Sequence, residues 1–265
     1  MRADVYLVQY GYAPSRSRAA RMITEGSVRV DGVLLKKVSD PVDESLSHAV
    51  ELSDSIPYVG RGGLKLEKAL DAFLVTCDGK IALDVGASTG GFTDCMLQRG
   101  AAHIYAVDTG SGQLAPSLCA DARVTNIENC NARYLNARDL GVDFPQAGVM
   151  LAVMDVSFIS QTLILPSLSL LLREGADLIT LVKPQFEVGR SQIGKGGIVR
   201  TDAARRDAIL RVLDCVSALG LSPRALISSP ILGGDGNSEY LLHLKKTAQG
   251  EDAVSATVLL SSVGL

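Results

Sequence analysis

The sequence lacks the features that mark secreted, metal-binding and membrane-spanning proteins. Its five cysteines are an odd number without a Cys-x-x-Cys pair, which indicates reduced thiols rather than a disulfide framework, and its three histidines show no metal-ligand spacing. The longest uncharged run, residues 156–172, has 17 residues including four serines, whereas a membrane span needs about 20 mostly apolar residues. The chain opens Met-Arg-Ala-Asp, without the apolar core of a signal peptide. We therefore expect a cytoplasmic protein with no metal and no membrane segment.

Charge is unevenly distributed, although the whole chain has no basic excess. The net charge is −3, and 47% hydrophobic residues exclude intrinsic disorder. Residues 1–37 contain seven basic and three acidic side chains, whereas residues 38–57 contain five acidic and no basic ones. This separation predicts a small N-terminal domain, residues 1–57, with a basic face and an acidic trailing segment.

The pattern within that domain predicts two helices and a hairpin. A short apolar run covers residues 5–10, and a second helix is capped by Ser15 and ended by Gly26. Asp31-Gly32 is a hairpin turn signal, and residues 50–52 supply a closing strand. The domain is thus a small α+β unit.

This arrangement resembles the αL RNA-binding motif of ribosomal small-subunit protein four, in which a basic helix lies against RNA phosphates. Such contacts give affinity and register rather than sequence reading. A merely solvated basic face is the alternative interpretation. The side chains that the resemblance assigns to RNA are Arg16, Arg18, Arg21, Arg29, Lys36 and Lys37.

Beyond a Pro- and Gly-containing linker at residues 58–62, apolar runs alternate with helical patterns. This alternation predicts a doubly wound α/β domain over residues 63–246, with a parallel sheet buried on both faces. Residues 247–265 are weakly patterned and are predicted to be a tail. The predicted strands are residues 81–85, 104–107, 124–127, 149–154 and 178–182, and the predicted helices are 92–98, 159–172 and 203–219.

The first turn of this domain has the spacing of a cofactor-binding loop. Asp84 near the strand end is followed by Gly86, Gly90 and Gly91, in the order G-x-x-x-G-G rather than the G-x-G-x-x-G of nicotinamide-binding folds. That spacing is characteristic of S-adenosylmethionine-dependent methyltransferases, although an ordinary tight turn is the alternative. Asp108 ends the next strand, where a carboxylate can accept the hydroxyls of a cofactor ribose.

Four polar residues are distributed over the rest of the domain. Lys65 starts a helix, Asp155 and Lys183 end two strands, and Glu239 begins a late strand. Ligands of an open parallel sheet bind beyond the carboxyl ends of its strands, so we expect Asp155 and Lys183 in the cofactor crevice. Taken singly, each residue could be a cap or a solvated side chain.

These residues lie in stretches that resemble the TlyA family of ribosomal-RNA 2′-O-methyltransferases, long labelled hemolysins, with an FtsJ-like catalytic domain. The stretches are Arg61-Gly62-Gly63-Leu64-Lys65-Leu66, Asp84 to Asp94, Asp155-Val156-Ser157-Phe158-Ile159-Ser160, Val182-Lys183-Pro184-Gln185-Phe186-Glu187 and Gly236-Asn237-Ser238-Glu239. The chain departs from the family pattern at Gly60, at Asn129 and in Asp108-Thr109-Gly110.

The resemblance implies a Rossmann-like class I methyltransferase sheet, S-adenosylmethionine as cofactor and ribosomal RNA or ribosomal subunits as substrate, with a cytidine as the expected target. It implies a catalytic tetrad of Lys65, Asp155, Lys183 and Glu239. The implied cofactor-binding residues are Asp84, Gly86, Ala87, Ser88, Gly90, Gly91, Phe92, Asp108 and Asp155, and further RNA-binding residues are Arg61, Arg190 and Lys195.

Transfer of a methyl group to a ribose hydroxyl requires a base, and a neutral lysine can accept the proton. Burial and a second cation lower the pKa of a lysine, so Lys183 is the candidate base, but the sequence does not separate it from Lys65.

Residues 183–211 contain seven basic and three acidic side chains, and their glycine-rich first part is predicted to be a flexible loop near the RNA. Two functions other than RNA methylation remain as alternatives for the whole protein: a membrane-active hemolysin and a non-catalytic RNA-binding assembly factor.

Overall fold

The computed structural model describes residues 1–24, 26–52, 56–233, 236–247 and 253–265, without the side chain of Arg21. The chain forms two compact units, Met1–Pro57 and Tyr58–Leu265. The predicted linker, residues 58–62, is part of the second unit, because Tyr58 is buried and the Val59 N–H donates to Asp94 Oδ2 at 2.7 Å.

The first unit has two helices followed by a small antiparallel sheet in the order β2-β1-β3. Ser15 Oγ accepts a hydrogen bond from the Arg18 N–H at 3.2 Å, as predicted. Asp31 and Gly32 both have positive φ, 51° and 76°, which is the conformation that a tight hairpin turn needs. The elements are α1 (Ala3–Gln9), α2 (Arg16–Thr24), β1 (Val28–Val30), β2 (Val33–Leu34) and β3 (Val50–Leu52).

The second unit alternates strands with helices. Its first part contains α3 (Gly62–Phe73), β4 (Ile81–Val85), α4 (Gly91–Gln98), β5 (His103–Val107), α5 (Pro116–Cys119), β6 (Val124–Ile127) and β7 (Val149–Met154). Its second part contains α6 (Leu165–Leu170), β8 (Leu172–Val182), α7 (Pro184–Glu187), α8 (Asp202–Ser217), β9 (Leu221–Ser228), β10 (Tyr240–Lys246) and α9 (Ala256–Ser262). Short 3-10 turns cover Ala132–Tyr134, Gln161–Leu163 and Arg190–Gln192.

In the described part of the second unit, the strands form a seven-stranded sheet in the order β6-β5-β4-β7-β8-β10-β9. Strands β4 to β8 pair in parallel, whereas β10 is antiparallel to both β8 and β9. Strand β10 therefore begins at the edge where the parallel strands end. The predicted α/β class with a parallel sheet is confirmed, with an antiparallel strand pair added at one side.

Two predictions about the second unit are wrong. The helix predicted over residues 159–172 is a 3-10 turn and the short α6, because Ser160 caps the turn, Pro166 lacks an N–H, and β8 already begins at Leu172. The predicted tail contains α9, whose Leu259 and Leu260 are buried in the core. Residues 248–252 of that tail lie outside the described residues.

The helix predicted over residues 203–219 is α8. Thr201 Oγ1 accepts from the Ala204 N–H at 3.2 Å, and Gly220 follows its end with a φ of 66°. None of the helices in the described ranges is long and apolar enough to cross a membrane.

Candidate active site

The four polar residues singled out in the sequence lie at one edge of the large sheet. Asp155 directly follows β7, Lys183 follows β8 and Glu239 precedes β10. Tyr240 pairs with Val182 in the antiparallel ladder, so Glu239 lies opposite Lys183. The reversed direction of β10 thus brings a residue from the start of a strand to the edge where parallel strands end.

These residues form two ion pairs. Lys183 Nζ lies 2.6 Å from Asp155 Oδ1 and donates a hydrogen bond to Ser157 Oγ at 2.8 Å. Lys65 Nζ donates to Glu239 Oε2 at 2.6 Å. The side chain of Glu239 is only 3% exposed and those of Lys65 and Lys183 are 11% and 10% exposed. Both pairs are therefore largely removed from water, and loss of one partner would leave a costly unpaired charge.

Glycines bring Lys65 to this edge. A Cβ on Gly63 would lie 2.2 Å from the ring of Tyr58, and a Cβ on Gly91 would lie 3.0 Å from the Gly63 nitrogen. Glycine at position 91 lets the starts of α3 and α4 approach this closely, and glycine at position 63 leaves room for the Tyr58 ring. Lys65 projects from the first turns of α3, next to the glycine turn that opens α4.

Two adjoining cavities follow this turn. The larger, about 520 Å³, extends along β5 and the segment after β7, and Asp108, Thr109, Gln113 and Asn131 are among its lining residues. The smaller, about 190 Å³, is lined by Lys183 together with Ala87, Gly91 and Phe92. Both are lined by Gly86, Ser88, Asp155 and Ser157, so the two cavities form one crevice.

Gly86 lets two walls of this crevice lie close together. Its φ is +85°, and a Cβ on it would lie 2.5 Å from the carbonyl oxygen of Asp155. A side chain at this position would therefore collide with the backbone that leads to the ion pair. The glycine turn and the Asp155 strand end can face each other only with hydrogen at this Cα.

The predicted cofactor residues divide into those that line the crevice and those behind it. Asp108 lines the larger cavity while accepting from the N–H groups of Ser88 at 2.8 Å and Gly110 at 2.7 Å. Asp84 is fully buried behind the turn, where its Oδ2 accepts from Thr93 Oγ1 at 2.6 Å. Burial raises the pKa of Asp84 to about 7. Gly90 also lies behind the turn, because a Cβ there would lie 2.2 Å from Leu118.

The structure adds residues to the site that the sequence reasoning did not identify. Glu187 is buried, and its carboxylate accepts from Ser160 Oγ at 2.5 Å and from the Gln161 N–H at 2.9 Å. It thereby fixes the segment that carries Ser157. Burial raises the pKa of Glu187. The sequence could have indicated Glu187, because it is the last residue of the stretch from Val182 that resembles the TlyA family.

Phe158 is a second such residue. Its backbone is left-handed, with a φ of 64°, its side chain is 92% exposed, and its ring centroid lies 5.3 Å from that of Phe186. A non-glycine residue keeps this conformation only where its surroundings hold it. The conformation presents an aromatic face at the rim of the larger cavity.

Seven of the predicted RNA-binding residues are exposed, namely Arg16, Arg18, Arg29, Lys36, Lys37, Arg190 and Lys195. Two of these, Arg16 and Arg29, also have contacts within the first unit.

Arg16 Nη2 lies 2.8 Å from the buried Asp4, and this pairing, with that of Arg2, lowers the pKa of Asp4 to about 2. Arg29 donates to the Gly32 carbonyl at 3.0 Å. Arg61 is half-buried ahead of α3, and the side chain of Arg21 lies outside the described part of the structure.

The segment predicted to be a flexible loop, residues 189–200, has internal hydrogen bonds. Arg190–Gln192 forms a 3-10 turn. The Gly194 N–H donates to the Ile198 carbonyl at 2.9 Å, and the Gly197 N–H donates to the Gly194 carbonyl at 3.1 Å. We call this segment the basic loop, since Arg190, Lys195 and Arg200 are exposed on it.

Comparison with known families agrees with this architecture. Residues 58–246 match the family described as FtsJ-like methyltransferase, and residues 1–46 match the S4 domain. These matches confirm the family resemblance indicated by the sequence motifs, and they confirm the predicted fold class.

Curated relatives cover nearly the whole chain. The sequence is 42% identical to the 16S/23S rRNA (cytidine-2′-O)-methyltransferase TlyA of Mycobacterium tuberculosis, over 99% of this chain and 95% of the relative. It is 46% identical to YqxC of Bacillus subtilis, a protein provisionally named as an rRNA methyltransferase, over 95% of this chain and 88% of the relative. A solved structure of a hemolysin-named protein from Streptococcus thermophilus superposes with a TM-score of 0.75 at 41% identity, covering 98% of this chain and 94% of that one.

Proposed function

The chain belongs to the FtsJ-like methyltransferase family, and we propose that it transfers a methyl group from S-adenosylmethionine to a ribose 2′-hydroxyl of a cytidine in ribosomal RNA. The observation that carries the proposal is the Asp155–Lys183 ion pair, which lines the same crevice as the glycine turn. We infer the cytidine and the ribosomal RNA from the activity for which the Mycobacterium tuberculosis relative is named.

The crevice suits S-adenosylmethionine. The larger cavity, about 520 Å³, is within the usual size of small-molecule sites. Gly86 lets the glycine turn lie directly against the backbone of Asp155, and Asp108 offers a carboxylate at the cavity wall, where it would hold the ribose hydroxyls. When bound, the cofactor supplies a methyl group already activated by the positive sulfonium.

Lys183 is the better candidate for the base. It lines the smaller cavity, whereas Lys65 is not among the described residues that line either cavity. As a neutral amine, Lys183 Nζ would accept the hydroxyl proton while the ribose oxygen attacks. Asp155, 2.6 Å away, would stabilise the ammonium that forms through the attraction of opposite charges.

The other members have supporting roles in this proposal. Ser157 accepts a hydrogen bond from Lys183 Nζ at 2.8 Å, which directs the amine within the cavity. Glu239 pairs with Lys65 at 2.6 Å, so neither of these buried groups is left with an uncompensated charge.

RNA binding would come from exposed cations on each unit. In the S4 domain these are Arg18, Lys36 and Lys37, and in the methyltransferase unit they are Arg190 and Lys195 of the basic loop. Arg16 contributes to the fold of the S4 domain through Asp4. Exposed cations of this kind bind phosphates and make RNA affinity depend on salt concentration.

The test is mass-spectrometric mapping of ribosomal RNA from cells with and without this protein. Purified ribosomal subunits incubated with the protein and labelled S-adenosylmethionine provide the matching reaction in vitro. We expect a 2′-O-methylcytidine that is absent from the deletion strain and appears in vitro. A methyl group on a base, or RNA binding without methyl transfer by an enzyme that binds the cofactor, would contradict the proposal.

A further inference from the structure

Asn237 is a buried polar residue that the proposed reaction does not use. It is 1% exposed and lies two residues before Glu239. Its side-chain Oδ1 accepts from the Val199 N–H at 2.9 Å, and its Nδ2 donates to the Gly197 carbonyl at 3.0 Å. Both ends of one buried amide are therefore bonded to the backbone of the basic loop.

The backbone hydrogen bonds of the loop close two local turns, at residues 190–193 and 194–198, whereas the base of the loop at Val199 is held by side chains. The turn of residues 194–198 is closed by backbone hydrogen bonds, with the exposed Lys195 at its outer end. Val199, at the base of the turn, is 1% exposed. Its N–H donates to Asn237 and its carbonyl accepts from Arg205 Nη2 at 3.3 Å, so side chains hold both polar groups of this residue.

On its other side, the backbone of Asn237 belongs to the segment that carries Glu239. The Gly233 N–H donates to the Asn237 carbonyl at 2.9 Å, and the Ser229 N–H donates to the Glu239 carbonyl at 2.9 Å. A Cβ on Gly233 would lie 2.5 Å from Glu239 Oε1. The carboxylate that holds Lys65 is thus tightly enclosed, and a shift of this segment would move it.

We propose that Asn237 is a positioning residue that joins the basic loop to the segment carrying Glu239, so that RNA held by the loop cations is placed at a fixed distance from the tetrad. The role of the tetrad in this statement rests on the proposed function, but the mechanical connection does not. A released loop would still bind phosphates through Lys195, but the bound ribose would no longer be aligned for attack.

The mechanical connection is tested first, in the full-length protein. Asn237→Ala removes both hydrogen bonds, and we expect trypsin to cleave at Arg190, Lys195 or Arg200 about tenfold faster, because two lost buried hydrogen bonds reach the 1.4 kcal/mol that corresponds to a factor of ten. Amide exchange of residues 239–242 should also accelerate. Ser262→Ala is the control, because it removes a hydrogen bond of 2.8 Å to the Leu226 carbonyl without touching the loop.

The link to catalysis is tested by separating rate from affinity. With ribosomal RNA as substrate, Asn237→Ala should lower the single-turnover rate at saturating RNA about tenfold or more while RNA affinity changes less than threefold. Lys195→Gln should instead weaken RNA binding, with a salt slope reduced by about one. If Asn237→Ala does not fold, Asn237→Ser leaves a small hydroxyl in the buried site without adding a charge and should show the same pattern with a smaller effect.

Three results would overturn the proposal. Unchanged cleavage and exchange in Asn237→Ala would show that the amide does not hold the loop. Faster cleavage with normal exchange at residues 239–242 and a normal single-turnover rate would show that the loop is not joined to the tetrad. Equal loss of rate in Ser262→Ala would indicate general destabilisation. If the wild type transfers no methyl group to RNA, the proposed function fails, while cleavage and exchange still decide the connection.

Discussion

Replacement of Lys183 separates a base from a merely structural cation. Lys183→Met keeps the apolar stem and removes the amine, which should lower methyl transfer by roughly 10²–10⁴-fold, the usual effect of a positioned proton acceptor. Lys183→Arg keeps the positive charge beside Asp155. It should not restore the rate, because a guanidinium stays protonated at any working pH.

The structure also predicts the effect of these substitutions on stability. The side chains of Lys183 and Asp155 are 10% and 20% exposed, and loss of one partner of a buried pair costs about 3–5 kcal/mol. For Lys183→Met we expect a loss of stability at the lower end of this range, because Asp155 retains some contact with water. About 3 kcal/mol corresponds to a Tm lowered by about 6–12 °C in a unit of this size, whereas Lys183→Arg should melt near the wild-type temperature.

The assay is a single-turnover measurement on ribosomal subunits, with cofactor affinity measured by calorimetry. Cofactor affinity should stay similar in all variants, so that a lower rate reports the methyl-transfer step. Lys80→Met is a control for activity, because Lys80 lies 3.4 Å from the buried Asp177 but does not line either cavity among the described residues. Its effect on Tm should be smaller, since Asp177 also contacts His243 and Lys245. A Lys183→Arg enzyme with a near-normal rate would refute the assignment and leave Lys65 as the candidate base.

Three further predictions address the cofactor, the RNA and the first unit. Asp108→Ala should weaken S-adenosylmethionine binding by about 1–3 kcal/mol, the value of a charged hydrogen bond, and an unchanged Kd in calorimetry would remove the ribose assignment. Arg18→Ala with Arg21→Ala should reduce the slope of log Kd against log salt by roughly one to two units, and an unchanged slope would assign the S4 domain to another partner. The hydrogen bond to Asp31 at 2.6 Å raises the pKa of His48. The stabilisation that this hydrogen bond gives is therefore complete at pH values below the unfolded-state pKa of histidine, near 6.5. It is lost as the pH rises through the higher pKa that His48 has in the folded state. Calorimetric melting of the first unit should show this loss in the wild type but not in His48→Gln.

The sequence determined the features that depend on neighbouring residues. Thr201 as the cap of α8, the positive-φ turn at Asp31-Gly32 and the glycine turn after β4 were all readable, because caps and turns follow from side chains a few positions apart. The five parallel strands of the large sheet were readable for a similar reason, since a strand buried on both faces is a continuous apolar run, whereas β9 was not predicted. The helix predicted over residues 159–172 failed because an apolar run alone does not distinguish a helix from a turn followed by a strand.

The tertiary structure decided how distant residues meet. An apolar run does not reveal its direction, so only the antiparallel pairing of β10 showed that Glu239 lies opposite Lys183. Only the fold placed Lys183 in the crevice wall and Lys65 on Glu239, and only the fold paired Arg16 with Asp4. The contacts of Asn237 with Val199 span 38 residues. Such pairings depend on how elements pack in three dimensions, whereas the patterns of the sequence report only what lies within a few turns of helix or one strand.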